Sequence, residues 1–244
     1  MFINDGLSKI EGEMHAFLMI GQSNMAGRGE FADVETIVNR NCYMLRMGRF
    51  QKMSEPINPD RAIFTGEFHS GVSLGASFAD DVSRTLGWRV GLIPCADGGT
   101  RLAQWMPGEV LFDHAVMMTG LAARTAKIEG ILWHQGESDC GTEESIDAYA
   151  DNFKVMIAAL RAAIGEDLPL FIGELSERIG ARWGGGKGHR RMNGVLRSLA
   201  SELPNAAFVP AADLALKPDE LHFNAVSLRE LGSRYARAYL DFKK

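Results

Sequence analysis

Cysteine is scarce in this chain. Cys42, Cys95 and Cys140 stand far apart in 244 residues, too few and too scattered for a disulfide framework or a zinc site, and an odd count suits a reducing compartment. Proline is sparse too, with eight against 27 glycines, so tight turns are expected and Pro-rich linkers are not. There is no basic excess: 26 Lys and Arg face 31 Asp and Glu, a net charge of −5. A nucleic-acid grip works by counterion release from a basic surface, so nucleic acid is not an expected partner, and neither is an anionic membrane. Long apolar runs are missing as well. Ala16–Ile20 is too short to span a bilayer, and the N-terminal stretch MFINDGLSKIEGEMHAFLMIG has no uninterrupted apolar core or small-residue cleavage site. The expected localisation is cytoplasmic, although a secreted chain with a trimmed leader would read the same. No repeat, low-complexity tract or linker divides the chain, and one domain over residues 1–244 is expected, a length that supports one sizeable core.

Short apolar runs alternate with amphipathic stretches. The runs are 16–21, 42–47, 88–96, 128–136, 168–175 and 206–211. Most lack period-two alternation, as strands buried on both faces of a parallel sheet do. The clearest helix is Glu143–Ile164, where Ile146, Tyr149, Phe153, Met156, Leu160 and Ile164 follow steps of three and four. Others are expected over Gly71–Leu86, Glu109–Lys127, His189–Glu202 and Ala225–Phe242, the last with Asn224 as N-cap and Ser227 and Glu230 at capping-box spacing one turn further in. Strand and helix alternating over the whole length predict a three-layer α/β/α fold with a central, mostly parallel sheet. The segment Gly48–Ser70 has no pattern and is long enough to wall a cleft or to be a plain surface excursion.

Ligands of such sheets bind at the carboxyl ends of the strands. After the first run comes Gly21-Gln22-Ser23-Asn24-Met25-Ala26-Gly27, where Ser23 is either an exposed nucleophile or an N-cap. After the third comes Asp97-Gly98-Gly99-Thr100-Arg101, either an oxyanion-binding loop or a tight turn. After the fourth comes Trp133-His134-Gln135-Gly136-Glu137-Ser138-Asp139, too dense in polar groups for a structural turn. Gln135 can donate to an oxyanion there and Glu137 can orient a base. His134 and Glu137 are three apart, but without further ligands at helical spacing no metal is expected. Near the C-terminus, Pro218 and the Asn224 cap put Asp219 and His222 in one turn, where the carboxylate can hold Nδ1–H and leave Nε2 as a base. Ser23 and His222 are 199 positions apart, yet both fall at the same sheet edge. Gly184-Gly185-Gly186-Lys187 suggests a phosphate loop, but its spacing is one too long and Gly188 replaces the Ser or Thr, so it reads as a loop at the edge of the site. Trp105 and Trp183 can stack on a sugar or belong to core or rim.

The blocks GQSNMAG (21–27), GGTRLAQW (98–105), WHQGESD (133–139) and DELH (219–222), in that order, resemble the carbohydrate esterase family 6 and sialate O-acetylesterase branch of the SGNH hydrolases. The resemblance covers nearly the whole chain. It implies a flavodoxin-like fold and a serine esterase that removes acetyl groups from sugars with no metal or organic cofactor. Ser23 matches the family nucleophile and His222 its base. The third member is Asp219 or, as in some relatives, Glu137. The N–H groups of Ser23 and Gly99 and the Gln135 amide match the oxyanion hole. Gln135 and Gln22 stand where the wider superfamily has Asn and Asp, which is usual for this branch. The implied partner is an acetylated carbohydrate, with acetylated xylan first, O-acetyl sialic acid as the alternative, and a non-catalytic sugar-binding protein as the rival of another class.

Overall fold

The first strand, β1 (Met14–Gly21), shows how the layers are built. Ala16, Leu18 and Ile20 face one apolar layer, and Phe17 and Met19 face the other. Each of these five is at most 1% exposed, so the run from Ala16 to Ile20 is apolar because both faces are covered. In this computed structural model, which describes residues 13–59 and 69–244, β1 is the fourth of seven strands. The others are β2 (Cys42–Arg46), β3 (Arg49–Lys52), β4 (Arg89–Pro94), β5 (Lys127–His134), β6 (Leu170–Gly173) and β7 (Ala206–Val209). They lie in the order β3-β2-β4-β1-β5-β6-β7, parallel except for β3. The predicted α/β fold with a mostly parallel sheet is therefore present.

Four helices of the chain match their predicted stretches closely: α4 (Glu143–Ile164), α5 (Lys187–Glu202), α6 (Ala225–Phe242) and α2 (Gly75–Leu86). α3 (Val110–Ala123) stops short of Lys127, which opens β5 instead. One apolar layer joins α3, α4 and α5 to the sheet, and the other joins α2 and α6. Asn224 caps α6 by accepting from the Ser227 N–H at 2.8 Å. The capping box read at Ser227 and Glu230 does not form: the Ser227 hydroxyl accepts from Ala215 N–H, and Glu230 pairs with Arg234 and Arg237.

Two readings change. β3 was not expected: Met47 and Gly48 turn the chain back with positive φ values of 51° and 77°, and Arg49–Lys52 pairs antiparallel on β2 as an edge strand. The segment Gly48–Ser70 therefore contains a strand, and none of its described residues lines the cavity below; residues 60–68 lie outside those described, as do residues 1–12 of the N-terminal reading. Of the alternatives for Trp105, core holds: it is 1% exposed and edge-on to Trp133 with ring centres 5.7 Å apart.

Candidate active site

The carboxyl ends of three neighbouring strands, β4, β1 and β5, carry the polar blocks. β1 ends at Gly21, whose φ of 134° and lack of a side chain are both required: a Cβ there would sit 2.1 Å from the His134 carbonyl oxygen. This close approach lets Gln22 N–H donate to the same carbonyl at 2.9 Å. The chain then enters the four-residue helix α1 (Ser23–Ala26) with Ser23 at its first position. Ser23 is 5% exposed, and its Oγ lies 3.0 Å from His222 Nε2.

The loop bearing His222 is fixed from both sides. Leu216 bridges to Phe223, and Lys217 N–H donates to the His222 carbonyl at 2.7 Å. Lys217 Nζ reaches back to the Arg28 carbonyl at 2.7 Å, and Phe223 N–H donates to Asn24 Oδ1 at 3.1 Å. Within the turn, Asp219 Oδ2 faces His222 Nδ1 at 2.8 Å, while Oδ1 accepts from the N–H groups of Leu221 and His222 at 3.0 and 2.9 Å. Burial alone would raise the Asp219 carboxyl, but these donors together hold it below the usual carboxylate range. Burial lowers the His222 imidazole, helped by the charges of Arg28 and Lys217, against the opposing pull of Asp219. The result is a neutral imidazole aimed at a serine hydroxyl, the arrangement a general base needs.

Glu137 is not brought to His222, both of whose ring nitrogens are taken. Its Oε1 accepts from Asn24 Nδ2 at 2.7 Å. Because Asn24 also holds Phe223, Glu137 is connected to the base loop through an amide. Burial pushes its carboxyl up to about 7, and Oε2 has no partner. His134 Nε2 is 3.9 Å from Oε1. Tyr235 gives its hydroxyl proton to the Trp133 carbonyl at 2.7 Å, so its contact with His134 Nδ1 at 3.3 Å makes Nδ1 the protonated nitrogen. Burial takes the His134 imidazole down to about 3. No cluster of three or more metal-ligating side chains occurs among the described residues.

Gln135 faces inward. It is fully buried, and its Nε2 lies 2.6 Å from Asp139 Oδ2, 2.9 Å from the Thr100 carbonyl and 3.2 Å from Gln22 Oε1. Tyr149 donates to its Oε1 at 2.8 Å. Asp139 also accepts from Leu102 N–H at 3.0 Å. The amide therefore stitches the end of β5 to the Gly98–Leu102 loop, with its donors already used. Asp139 and Tyr149 carry this arrangement, and nothing in their sequence positions distinguished them from surrounding polar and core residues.

These elements enclose a cavity of about 460 Å³ that holds Ser23, His222, Asp219, Gly98, Gly99 and Glu137. Its remaining wall includes Arg28, Ser138, Trp183 and His189. Trp183 is 46% exposed and donates from its indole N–H to the Asp219 carbonyl at 3.0 Å. A separate groove of about 310 Å³ between α4 and α5, around Lys154 and Arg191, contains no nucleophile–base pair.

Residues 13–241 match the model of a family described as carbohydrate esterase, sialic acid-specific acetylesterase. The chain belongs to that family. It is a carbohydrate esterase, a carboxylic ester hydrolase, and a probable carbohydrate esterase of Arabidopsis thaliana is 32% identical to it over 247 residues, covering 92% of this chain and 90% of that one. The crystal structure of the Arabidopsis protein superposes with a TM-score of 0.83 at 29% identity, over 93% of this esterase and 98% of that chain. The structure of NanS gives 0.74 at 17% identity, over 95% and 98%. A carbohydrate acetylesterase from Xanthomonas citri gives 0.63 at 19% identity, over 93% of this esterase and 55% of that chain. The last two likenesses speak for the fold.

Proposed function

We propose that this esterase removes O-acetyl groups from a carbohydrate through an acetyl-enzyme formed on Ser23. The observation that carries the reading is the continuous line Ser23 Oγ, His222 Nε2 and Nδ1, Asp219 Oδ2, with contacts of 3.0 and 2.8 Å. His222 takes the Ser23 proton as Oγ attacks the acetyl carbonyl. The oxyanion is held by the backbone N–H groups of Ser23 and Gly99. Collapse of the tetrahedral intermediate expels the sugar hydroxyl, which receives the proton from His222. Water, deprotonated by the same imidazole, then attacks the acetyl group, the bond to Ser23 Oγ breaks, Oγ takes the proton back from His222, and acetate leaves. Asp219 keeps the imidazole in the Nδ1–H tautomer and offsets the positive charge it acquires.

Acetylated xylan is the first substrate of this reading, since the exposed Trp183 indole at the cavity rim suits a pyranose face. O-acetyl sialic acid is the second, favoured by Arg28 in the cavity wall, whose charge complements a carboxylate. Acetate release from acetylated xylo-oligosaccharides and from O-acetyl sialic acids tests both, with Ser23→Ala and His222→Ala each expected to lose on the order of 10⁴–10⁶-fold in turnover. Binding of a sugar without acetate release by the wild type would mark a carbohydrate-binding protein instead.

A further inference from the structure

The buried polar side chains of α5 differ in how they are satisfied. The buried face of the helix is His189, Met192, Asn193, Leu196, Leu199 and Ala200. Asn193 is fully used, accepting from Leu175 N–H at 2.8 Å and donating to the Leu175 carbonyl at 2.9 Å. His189 is 3% exposed, and its Nε2 has no hydrogen-bond partner. An imidazole kept only for packing could be a phenylalanine or leucine without the cost of an unpaired polar atom.

The backbone around His189 is built to bring it to the site. A Cβ on Gly188 would sit 2.3 Å from the Cys140 carbonyl oxygen, so the start of α5 presses directly onto the turn that carries Glu137 and Ser138. The next residue, His189, lies in the wall of the same cavity as Glu137, Ser138 and Trp183, and among the described residues it makes no hydrogen bond to the Ser23–His222–Asp219 line. We propose that His189 is a substrate-positioning residue, hydrogen-bonding a hydroxyl of the sugar ring whose ester is cleaved. The assignment rests on the esterase reading above and adds the recognition of the leaving group. Burial lowers the imidazole to about 4, so at neutral pH it offers one N–H and one lone pair. These complement a neutral hydroxyl, which both donates and accepts, better than a carboxylate, which only accepts.

The test compares two substrates across His189→Phe, which keeps ring size without hydrogen bonding, and His189→Gln, which restores a donor and acceptor. One substrate is p-nitrophenyl acetate, whose leaving group has no sugar hydroxyl. The other is the acetylated xylo-oligosaccharide or O-acetyl sialic acid that the wild type cleaves faster. The ratio of kcat/KM for the sugar ester to that for p-nitrophenyl acetate is expected to fall about 10-fold in His189→Phe, mainly through KM, with partial recovery in His189→Gln. A purely structural role lowers both substrates together, and an unchanged ratio in a folded His189→Phe overturns the proposal. So does a wild type that cleaves p-nitrophenyl acetate but neither sugar ester. A wild type that cleaves none of the three fails the esterase reading itself.

Discussion

Asp219 grips His222 at two points: one carboxylate oxygen accepts the backbone N–H of His222 at 2.9 Å, and the other faces its ring Nδ1 at 2.8 Å. The same side chain therefore fixes the turn and the tautomer. Glu137 has no such contact and meets Asn24 instead.

The first prediction separates the two carboxylates. Asp219→Asn replaces one acceptor oxygen by an amide donor and disturbs the required tautomer, so kcat for p-nitrophenyl acetate falls by on the order of 10³–10⁴-fold. Glu137→Gln keeps an acceptor for Asn24 and loses less than about 10-fold, the size of a perturbed neutral hydrogen bond. Steady-state kinetics of the two variants check this; the reverse ranking would make Glu137 the orienting group.

The second concerns pH. The base must be neutral, and burial lowers the His222 imidazole from its ordinary 6.5. The acid limb of kcat/KM is therefore expected below pH 6.5. Asp219 pulls the imidazole upward, so in Asp219→Asn the limb moves to lower pH while the plateau drops. A limb above 6.5 in the wild type contradicts the assignment of His222 as a neutral buried base.

Stability carries a third signature. In the folded state Glu137 titrates near 7 instead of 4.5, so between those values the native protein binds the extra proton. Its contribution is fully present below 4.5 and is lost as pH rises through about 7. Converting the shift gives about 3 kcal/mol, an order-of-magnitude figure. Urea titrations at pH 5 and pH 8 should show a smaller loss of stability between the two pH values in Glu137→Gln than in the wild type. Equal pH slopes in the two proteins would show that ionising Glu137 costs the fold nothing.

Gln135 supplies the fourth. With its amide committed to Asp139, Thr100, Gln22 and Tyr149, Gln135→Leu leaves several buried groups unpaired. Unfolding should be easier by roughly 2–4 kcal/mol, because each orphaned group costs about 1–3. The activity of the folded fraction should fall by less than the ~10²–10³ typical of a lost oxyanion donor. Denaturant midpoints and active-site-normalised kcat distinguish the two; a stable variant with a 10²-fold slower turnover would return Gln135 to the oxyanion hole.

The sequence was most legible where one physical signal dominated. α4 spans the run of apolar steps of three and four, and α6 begins at the Asn224 cap that the sequence offered. Ser23 and the Asp219–His222 pair could be placed at one edge because parallel strands end on the same side of a sheet. β3 was invisible, since Arg-Phe-Gln-Lys has one apolar residue and its pairing is created by the Met47-Gly48 turn. Gln135 was misread for a related reason: a strand-end block specifies side-chain chemistry, and only packing decides which side chains point inward. His189 looked like any helical residue, because its missing partner is a property of the assembled wall.

The most direct test of Ser23 as nucleophile is peptide mass spectrometry after inactivation with diethyl p-nitrophenyl phosphate, which transfers its phosphoryl group to an activated serine. One diethylphosphoryl group on Ser23, gained in proportion to lost activity and absent in His222→Ala, is the predicted result. Stoichiometric inactivation with the label on another residue, Ser23 remaining unmodified, would contradict the account.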